Sequence, residues 1–263
     1  MDGVRLHYLE AGTGEPALVL LHAFPLHAGM WARQLEHLSA HRRVVAPDLP
    51  GFGGSDAPDS MYRYTMLGYA DLVAGLLDHL GLDRVVLGGL SMGGYVAMEI
   101  LRRRPQAVGA LILADTKASA DSEEAAGNRL RMAGLLEEQE STRILAHEVL
   151  PTLVGETTRR EHPETVAWLR EIVEDADPLG AAWAQRAMAA RGDSFQTLRR
   201  VEVPTLVIVG EQDELSPPTD ARAMVEAVPG AQIAVIAGAG HLTAAETPDE
   251  FNGLVCDFVL EHT

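Results

Sequence analysis

Three residues that could do chemistry together lie far apart in the chain. Ser91 is the centre of the sequence GLSMG, which fits the pattern G-x-S-x-G. Asp213 and His241 each follow an apolar run, TLVIV and QIAVI respectively. A serine hydroxyl is a poor nucleophile without a base, and the base needs an acid to orient it. The chain order serine, aspartate, histidine is the one expected for a serine in this pattern, so the three are predicted to form a catalytic triad.

The surroundings of Ser91 support this interpretation. A strand pattern at Val85–Leu87 precedes the serine, and a helical pattern covers Ser91–Arg104. The glycines on either side leave room for a crowded backbone, and a helix N-terminus favours negative charge developing in front of it. The alternative is a glycine-rich turn for a phosphate, but both G-x-G-x-x-G and the P-loop pattern are missing.

Two other residues have alternative roles. Asp115 ends the apolar run ALILAD and competes with Asp213 as the acid, although it could equally cap a turn. His22 is expected to hold its loop by hydrogen bonds and not to act as a base. A metal site at His22 and His27 is disfavoured because no carboxylate lies at ligand spacing.

A tetrahedral intermediate also needs hydrogen-bond donors for its oxyanion. One is expected to be the backbone N–H of Met92, which follows the nucleophile. The other is expected from the loop HAFPL after the run ALVLL, where Phe24 can donate and Pro25, which has no N–H, cannot.

Short, continuous apolar runs alternate with helical patterns, which predicts a mostly parallel sheet covered by helices on both faces. From about residue 121 to residue 200 the patterns are helical, and prolines divide them. We therefore expect a core formed by residues 1–120 and 201–263, with residues 121–200 inserted as a helical cap. The predicted strands are Ala17–Leu21, Arg43–Ala46, Val85–Leu87, Ala110–Leu113, Thr205–Val209 and Gln232–Ile236.

Composition narrows the classes of partner. The chain has 263 residues and a formal net charge of −17, which repels nucleic acid and anionic membranes. Cys256 is the one cysteine, so an intramolecular disulfide is excluded. The N-terminal stretch MDGVRLHYLEAG lacks the pattern of a signal peptide, and no apolar run approaches the about 20 residues of a membrane span. A cytoplasmic location and a small-molecule partner are expected.

The chain resembles the α/β-hydrolase superfamily over nearly its whole length, and in particular bacterial carboxylesterases and 3-oxoadipate enol-lactonase-like hydrolases. The resemblance rests on HAFPLHAGMW, PDLPGFGGSD, GLSMGGYVAMEI, LILADTKASAD, GEQDELSPP and GAGHLTAAETPDEFN. It implies an α/β-hydrolase fold with an eight-stranded, mostly parallel sheet and a helical cap. It also implies the triad and oxyanion groups given above, and neither a cofactor nor a metal. The chain departs from the family at Ala23, where glycine is usual, and alanine would be strained if that position needs a positive φ.

The leading hypothesis is a carboxylic-ester hydrolase that acts on short- to medium-chain esters through an acyl-enzyme. Apolar side chains are expected to line the acyl pocket, several of them from the cap. The alternatives are lactone hydrolysis, for which cap arginines (Arg129, Arg131, Arg186 and Arg191) could meet an acidic substrate, and cofactor-free perhydrolysis. A non-catalytic ligand receptor on the same fold is a distant alternative. The predicted pocket residues are Leu26, Trp31, Leu135, Trp168 and Trp183.

Overall fold

The six apolar runs and one further segment form a seven-stranded sheet in this computed structural model, which describes residues 4–57 and 65–262. The strands lie side by side in the order β1-β3-β2-β4-β5-β6-β7, and all neighbours are parallel except β1 and β3. They are Tyr8–Ala11 (β1), Leu18–Leu21 (β2), Val44–Pro47 (β3), Val85–Leu90 (β4), Val108–Ala114 (β5), Thr205–Gly210 (β6) and Gln232–Ile236 (β7).

The expected eight-stranded sheet is corrected to seven strands within the described ranges, and the fold class is confirmed. The described stretch before β2 supplies one strand, β1, which pairs antiparallel with β3 at the edge of the sheet. The sequence YLEA of β1 is short and half polar, so it lacks the continuous apolar run by which the other strands were predicted. At the other edge, β7 is not buried on both faces, because Ile233 and Val235 are 36% and 42% exposed.

Helices follow the strands as the alternating pattern predicts. The helix over Met66–His79 begins after Thr65, whose side chain accepts a hydrogen bond from the N–H of Gly68 at 2.9 Å. The helices are Ala32–Leu38 (α1), Met66–His79 (α2), Met92–Arg103 (α3), Glu123–Gln139 (α4), Leu150–Leu153 (α5), Glu156–Glu161 (α6), Pro163–Asp175 (α7), Pro178–Ala189 (α8), Phe195–Leu198 (α9), Pro218–Ala227 (α10), Thr243–Glu246 (α11) and Pro248–His262 (α12).

The helices form layers on the sheet. Helices α1 and α12 pack against each other, while α2 and α3 pack together and α3 lies on β2, β4 and β5. The central strands β2 to β6 are buried almost throughout. None of the helices in the described ranges combines the length and the apolar character needed to cross a membrane.

Between β5 and β6 the chain runs through α4 to α9 and a five-residue π-helical turn, Leu145–Val149, and residues 121–200 contain no strand. Helices α4 and α8 pack against each other in this segment. The boundaries at residues 120 and 200 stay a prediction. Residues 1–3, 58–64 and 263 of the predicted core lie outside the described residues.

Candidate active site

Ser91 occupies a strained turn between β4 and α3. Its φ is +54°, in the left-handed region that side chains rarely adopt, which costs about 1–3 kcal/mol. The turn needs the neighbouring glycines, because a Cβ on Gly93 would lie 2.1 Å from the carbonyl oxygen of Leu21. The N–H of Ser91 donates to the carbonyl of Ala114 at 2.9 Å, and its side chain makes no capping bond to α3. The hydroxyl is therefore available to another partner.

The partner of Ser91 is His241. His241 Nε2 lies 2.7 Å from Ser91 Oγ, and His241 Nδ1 lies 2.8 Å from Asp213 Oδ2. The other carboxylate oxygen of Asp213 accepts the N–H groups of Leu215 and Ser216, each at 2.9 Å. All three side chains are largely buried. The structure thus brings together the serine, histidine and aspartate predicted from the sequence, with hydrogen-bond geometry suited to moving the serine proton.

Asp115, the competing acid, is buried directly after β5, and within the described ranges its side chain makes no hydrogen bond to His241. Its Oδ1 accepts the N–H of Gly210 at 3.0 Å, and its Oδ2 accepts the N–H and the hydroxyl of Thr243 at 3.0 and 2.6 Å. Burial raises its pKa well above the ordinary value, and the charge of nearby Asp213 raises it further. Asp115 therefore joins the segments that carry Asp213 and His241, and the acid bonded to the histidine is Asp213.

The two expected oxyanion donors are free. Phe24 borders the cavity in front of Ser91, and Met92 is the first residue of α3. Within the described part of the chain, neither backbone N–H donates a hydrogen bond. Ala23 does not have a positive φ. The described non-glycine residues that do are Ser91, Asp115 and Glu140. Alanine therefore fits the loop without backbone strain.

A cavity of about 470 Å³ opens in front of Ser91, between the sheet edge and the inserted helices. Three helical segments contribute to its walls: α4, the stretch from Glu148 to Leu153, and α8. Its lining residues are Phe24, Ser91, Tyr95, Lys117, Asp121, Ala125, Asn128, Arg129, Arg131, Met132, Glu148, Val149, Thr152, Leu153, Gln185, Met188, Leu215, Ser216 and His241.

None of the five predicted pocket residues lines this cavity, and the prediction is corrected accordingly. Leu26 and Trp31 are buried in the core, where the ring centroid of Trp31 lies 6.0 Å from that of Phe251. Leu135, Trp168 and Trp183 are half-buried on α4, α7 and α8. Trp168 and Trp183 pack against the hydrophobic core. The apolar side chains that the inserted segment contributes to the cavity are instead Ala125, Met132, Val149, Leu153 and Met188.

The face of α4 toward the cavity carries both polar and apolar side chains. Asn128 and Arg129 lie on it between Ala125 and Met132, at the three- and four-residue spacing of one helix face. Two further charged groups, Lys117 and Asp121, lie on the segment between β5 and α4. Sequence reasoning missed Lys117, Asp121 and Tyr95 as cavity residues. The available signal was the position of Lys117 and Asp121 just beyond a parallel strand whose end faces the site.

The four arginines named above for the inserted segment have different surroundings. Arg129 and Arg131 line the cavity, whereas Arg186 forms an ion pair with Glu137 at 2.7 Å. Arg191 is buried with its guanidinium carbon 3.9 Å from the centre of the Tyr95 ring. Nowhere in the described ranges do three or more histidine, cysteine, aspartate or glutamate side chains group so that they could hold a metal ion.

Comparison with known proteins gives a consistent family assignment. A sequence model described as the alpha/beta hydrolase fold matches residues 16–248. A solved structure of a thermophilic esterase from Thermogutta terrifontis, with malate bound, superposes with a TM-score of 0.94. That esterase is 41% identical, and the match covers 99% of this chain and 95% of the other.

Two curated relatives are similar over nearly their full lengths. A 3-oxoadipate enol-lactonase from Acinetobacter baylyi is 29% identical over 96% of this chain and 92% of its own. A 2-hydroxy-6-oxo-6-phenylhexa-2,4-dienoate hydrolase from Comamonas testosteroni is 31% identical over 97% of this chain and 91% of its own. The relatives share hydrolysis and differ in the substrate they hydrolyse.

Proposed function

The chain belongs to the α/β-hydrolase fold family, and on that basis we propose that it is a serine hydrolase of carboxylic esters. The observation that carries the proposal is the chain of hydrogen bonds from Ser91 through His241 to Asp213. The Ser91 end of this series of hydrogen bonds borders a cavity large enough for a small ester. The 41% identity to the Thermogutta esterase over almost the whole chain adds support.

The proposed reaction begins with proton transfer. His241 Nε2 takes the Ser91 proton as Oγ attacks the ester carbonyl, and Asp213 stabilises the imidazolium. The N–H groups of Phe24 and Met92 donate to the tetrahedral oxyanion. His241 then protonates the departing alcohol, and an acyl-enzyme remains on Ser91. Water, deprotonated by His241, attacks the acyl carbonyl and releases the acid.

The helical segment 121–200 is proposed to act as the cap over this site. Backbone hydrogen bonds join it to the loop of His241. The N–H of His241 donates to the carbonyl of Leu153 at 3.1 Å, and the N–H of Gly155 donates to Glu246 at 2.8 Å. The same carboxylate of Glu246 accepts the N–H groups of Gly240 and Leu242, each at 3.0 Å. The position of His241 therefore depends on contacts with the cap segment.

Lactone hydrolysis is the second candidate, because the Acinetobacter enol-lactonase aligns with 96% of this chain. A lactone is a cyclic ester, so attack by Ser91 and collapse of the intermediate follow the same steps. The leaving alkoxide stays attached to the acyl group in that case. The two candidates therefore differ in the shape of the substrate and share the proposed triad.

The test is hydrolysis of p-nitrophenyl esters from acetate to octanoate, together with a panel of simple lactones. Wild type is compared with Ser91→Ala and with Ser39→Ala, a control outside the cavity. Ester turnover should peak at a short or medium chain and fall by roughly 10³–10⁶-fold in Ser91→Ala. Faster opening of lactones than of esters would favour the lactonase. Tight binding of small ligands without Ser91-dependent turnover of either panel would instead indicate a receptor.

A further inference from the structure

Three cationic side chains converge on one carboxylate at the wall of the cavity. Arg129 Nε lies 2.6 Å from Asp121 Oδ2, Arg191 Nη2 lies 2.9 Å from Asp121 Oδ1, and Lys117 Nζ lies 3.6 Å from the same oxygen. The Asp121 side chain is 1% exposed, whereas that of Lys117 is 20% exposed. Lys117, Asp121 and Arg129 line the same cavity as Ser91.

The charges of this cluster do not cancel. One carboxylate faces three cations, and the next acid within electrostatic reach of Lys117 and Arg191 is Asp220. The remaining acid at the cavity, Glu148, is paired with Arg131 at 3.3 Å. Lys117, Arg129 and Arg191 against Asp121 and Asp220 leave one positive charge in excess, and Asp213, whose charge also acts on Asp220, is bonded to His241. Burial alone would raise the pKa of Asp121, but Arg129, Arg191 and Lys117 together hold that pKa below its ordinary value.

The unmatched charge belongs to the ammonium of Lys117. Arg129 also donates to Gln185 at 3.2 Å, and Arg191 donates to the carbonyl of Ser119 and stacks on Tyr95. Lys117 has three donors and makes no hydrogen bond within the described ranges, only the long ion pair with Asp121. A cation with unused donors in a partly closed cavity is poised for an anionic partner.

The position of Lys117 relative to the nucleophile is fixed through its neighbour. Thr116, which directly precedes Lys117, donates its hydroxyl to the carbonyl oxygen of Ser91 at 2.8 Å. The backbone at Lys117 is therefore attached to the turn that holds the serine. A substrate whose scissile carbonyl lies at Ser91 can reach the ammonium with another part of the same molecule.

From these contacts we propose that Lys117, with Arg129 beside it, binds one carboxylate of the substrate. The proposal rests on the proposed function and names its substrate class: esters or lactones that carry a carboxylate away from the bond that is hydrolysed. A carboxylate supplies the missing hydrogen-bond acceptor and cancels the single excess charge. A neutral acyl chain would leave both the ammonium and its charge unmatched.

The experiment compares substrates that differ in charge and share a shape. The probes are monomethyl esters of the dicarboxylic acids from succinate to pimelate, each beside the same ester with its free acid converted to the primary amide. For the best chain length, wild type should prefer the acid over the amide in kcat/KM by at least about tenfold. The preference should fall to near one in Lys117→Met and survive largely in Lys117→Arg. Arg33→Gln, an exposed position outside the cavity, is the control and should keep the preference.

Two results would overturn the subsite: a wild-type preference of one or less at every chain length, or an undiminished preference in Lys117→Met. Calorimetry on Ser91→Ala separates this failure from failure of the proposed function, because it needs no turnover. Binding of the half-acid, weakened at least tenfold by adding Lys117→Met, supports the subsite even if no ester is hydrolysed. Equal binding of acid and amide to Ser91→Ala overturns it.

Discussion

A buried histidine beside the site holds a loop and takes no part in the proposed proton transfers. His22 Nε2 accepts the N–H of Leu49 at 2.8 Å, so the ring proton is on Nδ1, which donates to the carbonyl of Ala23 at 2.9 Å. Burial lowers the pKa of His22 to about 4, although its hydrogen bond to Ala23 acts in the opposite direction. The neutral ring thus joins the loop that contains Phe24 to the loop that follows β3.

The depressed pKa of His22 predicts a loss of stability in acid. Below pH 6.5 the unfolded chain protonates this histidine while the folded protein does not, down to about pH 4. The free energy of unfolding should therefore fall by about 3 kcal/mol across this window from His22 alone. Urea unfolding at pH 7, 5.5 and 4 measures the fall, and it should be shallower in His22→Asn, which keeps a donor at the position of Nδ1 and has no titratable group. Equal slopes for wild type and variant would contradict the prediction.

At the same scale, the residues of the proposed triad were predictable because each has a local signal. Ser91 has glycines at fixed offsets, and Asp213 and His241 each follow a continuous apolar run that forms a strand. Lys117 and Asp121 also follow a strand, but that position does not indicate what the two side chains do. Their significance comes from a charge balance among side chains that are brought together by folding, which spacing along the chain does not show.

At the scale of elements, Asp115 connects three pieces of the site. It directly follows β5, it accepts the N–H of Gly210 at the end of β6, and it accepts the N–H and hydroxyl of Thr243 at the start of α11. Asp213 lies three residues beyond Gly210, and His241 lies two residues before Thr243. Asp115 is therefore a positioning residue for the hydrogen bond between Asp213 and His241.

Removing the hydroxyl of Thr243 tests this connection. Thr243→Val keeps the shape of the buried side chain and loses the 2.6 Å hydrogen bond to Asp115, so kcat for the best ester should fall about tenfold with KM little changed. Thr243→Ser retains the hydroxyl and should recover most of kcat. The pH profile of kcat/KM supplies a second readout, because it responds to a displaced Asp213 and does not respond to a change in fold stability alone. Equal kcat and pH profiles in the two variants would refute the positioning role.

Elements were easier to predict than the faces they present. Continuous apolar runs identified six strands, and only the half-polar β1 was missed. The pocket was predicted to be apolar because Leu135, Trp168 and Trp183 are the large side chains of the inserted helices. The structure instead packs Trp168 and Trp183 against the core, and α4 lines the cavity with polar side chains, Asn128 and Arg129, beside Ala125 and Met132. Which face meets the cavity depends on how α4 packs on α8, a long-range contact that helical periodicity does not specify.

At the scale of the whole molecule, the net charge and the cavity have opposite signs. The chain carries −17, while the cluster around Asp121 keeps an excess positive charge next to the proposed nucleophile. An anionic substrate is therefore repelled at long range and bound at short range. Salt separates the two effects, since the Debye length falls from about 30 Å at 0.01 M to about 8 Å at 0.15 M, and buried contacts are screened less than surface charges.

Raising NaCl from 10 to 150 mM should therefore increase kcat/KM for a dicarboxylic half-ester severalfold, because screening removes the long-range repulsion and largely spares the contact with Lys117. The matched amide carries no charge, so its kcat/KM should stay constant over the same range and controls for effects of salt on the fold. In Lys117→Met the increase for the half-ester should remain, since the repulsion comes from the whole surface, although its kcat/KM should be lower at every salt concentration. A steep fall with salt in wild type would show that exposed cations at the cavity mouth, and not the net charge of the molecule, control the approach of the substrate.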